Sequence, residues 1–280
     1  MTATVIVLLG LLLVEELIYR LSRGKVSLSV DLAGDTVEGT EKAGGNLLRV
    51  MSWARFVQLL VFGLLLVLAA SSTGVQLLNT PAGQLSGLLL LTQVVRIVNR
   101  KIINQWSVLG MTVVLQVLML LLMLITGADP TVPEGSGVFP GRWMISMVSF
   151  SVFFLLTVTV PFCATYFLRL LSREDGSFFY FLPSLVYSEY WIRRLTRFTA
   201  ALALALFLSL SVLVAGYGYP LLPAMMNLLT VLLLLSSLAV FRDRMMLHHT
   251  PAVALVSIAW LLRLVRLLVD SFTSLNVSIG

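Results

Sequence analysis

Apolar residues run along this chain in eight long blocks, near 2–19, 56–78, 84–100, 107–126, 143–170, 197–217, 222–241 and 251–272. Seven of the blocks are about 17 to 25 residues long and 143–170 is a little longer, lengths with which an α-helix can cross about 30 Å of hydrocarbon. The pattern predicts an all-α integral membrane protein with about eight transmembrane helices, folded as one polytopic domain over residues 1–280. The first block competes with a cleaved signal peptide, but it has no basic start and carries Glu15 and Glu16. It reads as a retained span.

The polar stretches between the blocks sort by charge. Arg20, Arg23, Lys25, Lys42, Arg49 and Arg55 lie between the first two spans; Arg96, Arg100 and Lys101 follow the third; Arg169, Arg173, Arg193, Arg194 and Arg197 follow the fifth; Arg242 and Arg244 follow the seventh. All but Arg142, Arg263 and Arg266 of the 19 basic residues thus fall on alternate connectors. Basic connectors mark the cytoplasmic face, so both termini are expected outside the cytoplasm, and the chain is expected in a bacterial plasma (inner) membrane.

Two connectors are long. Residues 20–55 end in Asn46-Leu47-Leu48-Arg49-Val50-Met51-Ser52-Trp53, which reads either as a short interfacial helix between spans one and two or as an extension of span two. Residues 172–197 contain Phe178-Phe179-Tyr180-Phe181-Leu182-Pro183 and then Tyr187-Ser188-Glu189-Tyr190-Trp191. So aromatic a loop is expected to fold back on the helices or onto a partner. Trp53, Phe178, Phe179, Tyr180, Tyr187 and Trp191 are the docking candidates, and the partners expected are other integral subunits, a peripheral cytoplasmic subunit and the bilayer itself.

Composition sharpens this picture. Hydrophobic residues make up 59% of the chain and charged residues 11%, against about 25% charged in a soluble domain. A soluble globular fold is excluded. The net charge of +6 then follows from the basic connectors and calls for no nucleic acid. One cysteine, Cys163, and two adjacent histidines, His248 and His249, exclude protein-ligated zinc, iron–sulfur and bis-histidine haem sites. The histidines read as a solvated loop pair or as a pH-sensitive one. No cofactor is expected to be bound by residues of this chain, and no catalytic constellation is evident.

Charges at membrane depth are the candidates for function. Arg263 lies about 18 Å along span eight, with Arg266 and Asp270 following on nearly the same face. Arg266 and Asp270 have the i, i+4 spacing of an ion pair. Arg263 reads as a contact inside the bundle or between subunits, as a snorkelling side chain, or as a binding group for a transported anion. Glu15, Glu16 and Arg20 stand at the exit of span one, where Glu16 and Arg20 also have pairing spacing. Arg96, Glu174, Asp175, Glu189 and Arg193 complete the set that could line a polar path or brace helices. Gln93 and Gln116 read as polar glue between helices, and Pro161 as a kink.

The layout of eight spans, with a long connector after the first and another after the fifth, resembles the heel membrane subunit of respiratory complex I, the NuoH family. It is similar also to the HycD-like subunits of formate hydrogenlyase and other energy-converting (group 4) hydrogenases. Locally, Glu15-Glu16-Leu17-Ile18-Tyr19-Arg20, Ser188-Glu189-Tyr190 with Arg193, and Phe241-Arg242-Asp243-Arg244 leading into Pro251 and Trp260 carry the resemblance. The family's acid-rich loop is reduced here to Glu174, Asp175 and Glu189, and its Pro-Phe-Asp core is missing, which makes this a divergent member. The resemblance implies a non-catalytic subunit that anchors a peripheral arm to antiporter-like membrane subunits in an ion-translocating or redox-linked complex. A quinone enters only through it. The rivals are a free-standing permease that uses Arg263 for an anionic substrate, and an enzyme acting on lipid.

Overall fold

A computed structural model describes residues 10, 12, 56–64, 66–67, 80–99, 106–125, 142–171, 184–217, 221–242 and 249–279. Every element among the described residues is helical. After the helical residues of the 56–67 segment come α1 (Pro81–Asn99), α2 (Trp106–Ile125), α3 (Arg142–Leu171), α4 (Leu185–Tyr217), α5 (Leu221–Arg242) and α6 (Thr250–Ile279). Four of them contain stretches long and apolar enough to cross a membrane: Ile145–Leu171, Leu185–Gly216, Leu221–Arg242 and Thr250–Val269. The corresponding apolar stretches of α1 and α2, Gly83–Ile97 and Thr112–Met123, are shorter. Apart from Gly10 and Leu12, the first span lies outside the described residues, as do the interfacial segment with Trp53 and the connector residues Phe178, Phe179 and Tyr180.

Helix starts are set by side-chain caps. Thr80 accepts the Gly83 N–H on its hydroxyl at 3.2 Å, and Pro81 follows at the first helical position, where a missing N–H costs nothing. Ser184 does the same for α4, accepting the Tyr187 N–H at 3.2 Å while its carbonyl takes the Ser188 N–H at 3.1 Å. This cap corrects the expectation of an irregular connector through Arg197. Residues from Leu185 onward form the first turns of a 33-residue helix, because a capped segment with no internal glycine or proline has no reason to stay irregular next to a helix that it can extend.

Helices α3, α4, α5 and α6 close into a ring, with α3 on α4, α4 on α5, α5 on α6 and α6 back on α3; α1 packs on α2, α3 and α6, and α2 also on α3. The core shared by these helices includes Leu85, Leu88 and Leu89 of α1, Met119, Leu120 and Met123 of α2, Val152 and Leu156 of α3, and Val253 and Val256 of α6. Leu206 and Leu210 meet Ala224 in a smaller cluster between α4 and α5. Facing outward are Leu204, Leu208 and Val212 of α4, Leu229 and Leu232 of α5, and Ile258, Leu261 and Val265 of α6. Apolar groups on both the inside and the outside are what a helix surrounded by lipid requires.

The helix α1 reaches α3 through Gly87, where an added Cβ would sit 3.0 Å from the Phe150 ring. Gly87→Leu should therefore destabilise the protein in detergent by about 1–3 kcal/mol through overpacking. Thermal unfolding reads the loss, and Phe150→Ala in the same chain should restore part of it.

Candidate functional site

The inner stripe of α6 is Ala252, Val253, Val256, Ala259, Trp260, Arg263 and Leu267, all buried. Residues three and four apart share a helix face, so Arg263 is carried into the ring by the same register that buries its apolar neighbours. Its side chain is 5% exposed. One terminal nitrogen, Nη2, donates to Asn227 Oδ1 of α5, and Nη1 donates to Ser149 Oγ of α3 at 3.5 Å. The Asn227 amide donates in turn to the Ala203 carbonyl of α4 at 3.0 Å. All four helices of the ring are thus joined through one guanidinium.

The balance of this arrangement is close. An arginine at a helix centre in the membrane costs about 2.5–3.5 kcal/mol on the translocon scale. A hydrogen bond to a charged group contributes about 1.5–3 kcal/mol. The Ser149 contact is long, so Asn227 supplies most of the compensation. Among the described residues no carboxylate pairs with Arg263, and its Nε has no hydrogen-bond partner. One turn toward the start of α6, Trp260 Nε1 donates to Thr157 Oγ1 of α3 at 3.2 Å. Ser237 of α5 donates to the Ala252 carbonyl at 2.9 Å.

A second polar chain joins the 56–67 segment to α1 and α2. The Gln93 amide donates to Gln58 Oε1 at 3.0 Å, and that of Gln116 donates to Gln93 Oε1 at 3.1 Å and to Thr92 Oγ1 at 3.3 Å. All four side chains are buried, as is Arg96 one turn further along α1. Among the described residues Gln116 Oε1 has no hydrogen-bond partner. Gln93 and Gln116 are visible in sequence as lone amides in apolar runs. Gln58 carries the same signal and was missed because it sits just two residues from the start of its block.

The third cluster lies where α3 and α5 end and α4 and α6 begin, the arginine-rich end of the bundle. Glu189 Oε1 of α4 pairs with His249 Nε2 just before α6 at 3.0 Å, and the His249 ring lies 5.4 Å from that of Phe241 at the end of α5. His249 is therefore part of the packing between helix ends, which corrects its reading as a solvated loop residue. Trp191 stacks on Phe162 of α3 at 6.1 Å, with the Tyr187 and Tyr190 rings set edge-on to it at 6.3 and 5.7 Å. Tyr187 and Trp191 therefore pack on the core. The outer face of these turns instead presents Val186, Tyr190, Arg194 and Arg197.

Of the remaining sequence candidates, Arg193 and Arg266 are half-buried, Asp270 lies on α6 with its side chain outside the described ones, and Glu15, Glu16, Arg20, Glu174 and Asp175 lie outside the described residues. The structure brings Arg263 together with Asn227 and Ser149, and Glu189 with His249. Arg96 is buried on α1, one turn along from Gln93. Among the described residues no group of three or more His, Cys, Asp or Glu side chains is placed to hold a metal ion. No family model, no curated protein and no solved structure matches this chain.

Removing Asn227 leaves a buried guanidinium without its main acceptor. Asn227→Ala should cost about 1–3 kcal/mol in thermal or denaturant unfolding. Combined with Arg263→Leu, the loss should be clearly smaller than the sum of the two single losses, since residues in one hydrogen-bonded network are coupled. Strict additivity would show that the two side chains do not act together.

Proposed function

We propose that this chain is a non-catalytic integral subunit of a multi-subunit, ion-translocating or redox-linked membrane complex. Its bundle spans the membrane eight times with both termini outside the cytoplasm, and it joins a peripheral cytoplasmic arm to antiporter-like neighbours. The observation that carries the reading is the Arg263 hub. A permanent charge at mid-helix, hydrogen-bonded to α3 and α5 and through Asn227 to α4, makes four helices respond as one unit. A coupling subunit needs that property, and an isolated lipid anchor does not. The heel-subunit resemblance supports the same role, although its loop keeps few acidic residues here, Glu174, Asp175 and Glu189, so no quinone step is assigned to these residues.

On this reading the peripheral arm docks beyond the headgroup layer and meets Val186 and Tyr190 in the first two turns of α4. Purification from the native membrane in mild detergent should recover companion polypeptides in fixed ratio. A stable, monodisperse monomer with no companions would overturn the proposal. Tyr190→Ala together with Val186→Ser should release the peripheral companion and leave the integral ones bound.

A second reading is favoured by one specific observation: Arg263 has only neutral partners among the described residues. A permease would use that uncompensated charge to receive an anionic solute. Purified chain in vesicles would then move the anion unaided, and Arg263→Gln would abolish the flux while the protein still folds.

A further inference from the structure

The depth at which Arg193, Arg194 and Arg197 lie along α4 is used by neither reading. At 1.5 Å per residue its 33 residues extend about 50 Å, whereas the hydrocarbon layer is about 30 Å thick. The long apolar run of α4 begins after Arg197, so the turns before it emerge from the hydrocarbon. Arg193 stands one turn beyond Arg197, about 6 Å along the axis. That distance matches the headgroup layer on one side of a bilayer, about 5–7 Å. Arg193, Arg194 and Arg197 therefore occupy the depth of lipid phosphates.

Among the described residues, their surroundings leave these charges available. Ser188, Ile192 and Thr196 face the core, while Tyr190, Arg194 and Arg197 are exposed and Arg193 lies half-buried at the edge of the same outer face. Arg194 is held in place by donating to the Tyr190 hydroxyl at 3.1 Å and by lying 5.7 Å from the centre of the Trp191 ring. Among the described residues no carboxylate pairs with any of the three arginines, and Glu189 in these turns is bonded to His249. Arg193 and Arg197 are like charges at i, i+4, which repel when nothing lies between them. A shared phosphate turns that repulsion into two charge-assisted contacts.

We propose that the outer face of the first turns of α4 binds an anionic phospholipid, with Arg193 and Arg197 bracketing its phosphate and Arg194, fixed on Trp191 and Tyr190, closing the site. The inference rests on α4 crossing the membrane and is independent of which complex the chain serves. Depth selects lipid over an acidic protein partner, because the guanidinium groups lie level with headgroups.

The test uses the full chain reconstituted in bilayers of phosphatidylcholine and phosphatidylglycerol, re-extracted in detergent, with the bound phospholipid counted by class. Phosphatidylglycerol should be enriched several-fold over its share of the bilayer. R193Q/R197Q should bring the bound lipid back to the bulk ratio, and R193K/R197K should keep most of the enrichment. Because all these positions lie on the outer face, size exclusion should show the variants folded; if the double variant aggregates, R197Q alone should show a partial loss. No enrichment in the unmodified chain, or full enrichment in R193Q/R197Q, overturns the proposal. So does complete displacement of the lipid by inorganic phosphate, which would identify a free anion as the occupant, or binding of a soluble acidic partner with no lipid selectivity.

Discussion

The hydrogen bond from Arg263 to Asn227 governs how the rest of the bundle can be arranged. In water a guanidinium has no need of a particular neighbour. In a low-dielectric interior it needs acceptors at fixed places, and the helices that supply them must stand at fixed positions. The acceptors come from α5 and α3, and Asn227 in turn requires the carbonyl of Ala203 on α4. Ala203 is itself fully buried, and its small side chain leaves the backbone open to an amide from the next helix. Any change of neighbours around the ring would break one of these contacts, so the circular order of α3 to α6 and the position of one charge are a single constraint.

Other polar side chains in the bundle divide by where their hydrogen bonds go. Thr159, Thr165, Thr199, Ser211, Thr230 and Ser257 donate to carbonyls three or four residues earlier in their own helix. Such residues are satisfied without a neighbour and say little about packing. Gln93, Gln116, Asn227, Ser237, Trp260 and Arg263 reach across to another element. Lipid offers apolar side chains nearly the same environment as the protein interior, so hydrophobic burial alone does not choose one helix partner over another. The crossing bonds make that choice. Gly87 adds a steric component, bringing α1 close to Phe150 of α3.

How far the sequence exposes this arrangement depends on the range of the physics involved. Periodic apolar runs placed α1, α2, α3 and α5 within about three residues of their observed ends, because span length is a property of the run itself. The start of α4 was not visible in the same way. Charged and aromatic residues between Tyr187 and Arg197 hide its continuity, and the signal that marks it is the capping residue Ser184 directly after Pro183. Arg263 stood out since a charge in an apolar block is rare. Its acceptors did not, because pairing across 36 and 114 positions is set by which helices become neighbours, and no local pattern encodes that. Asn227 still carried a readable mark as the single amide in its block. The packing of His249 is hidden in the sequence because its partner, Glu189, lies 60 positions away in helical turns that the sequence pattern does not mark as helix.

One continuous helix connects the outer face of the bundle to its buried charge. Tyr190, Arg194 and Arg197 on the outer face of α4 and Ala203 on its inner face belong to one uninterrupted helix. An α-helix transmits axial displacement because each residue is tied to the fourth one along. A ligand or partner that shifts the first turns of α4 thereby moves the carbonyl on which Asn227 depends, and with it the main acceptor of Arg263. The Glu189–His249 pair and the stacking of Trp191 on Phe162 resist such a shift by pinning those turns to α6 and α3.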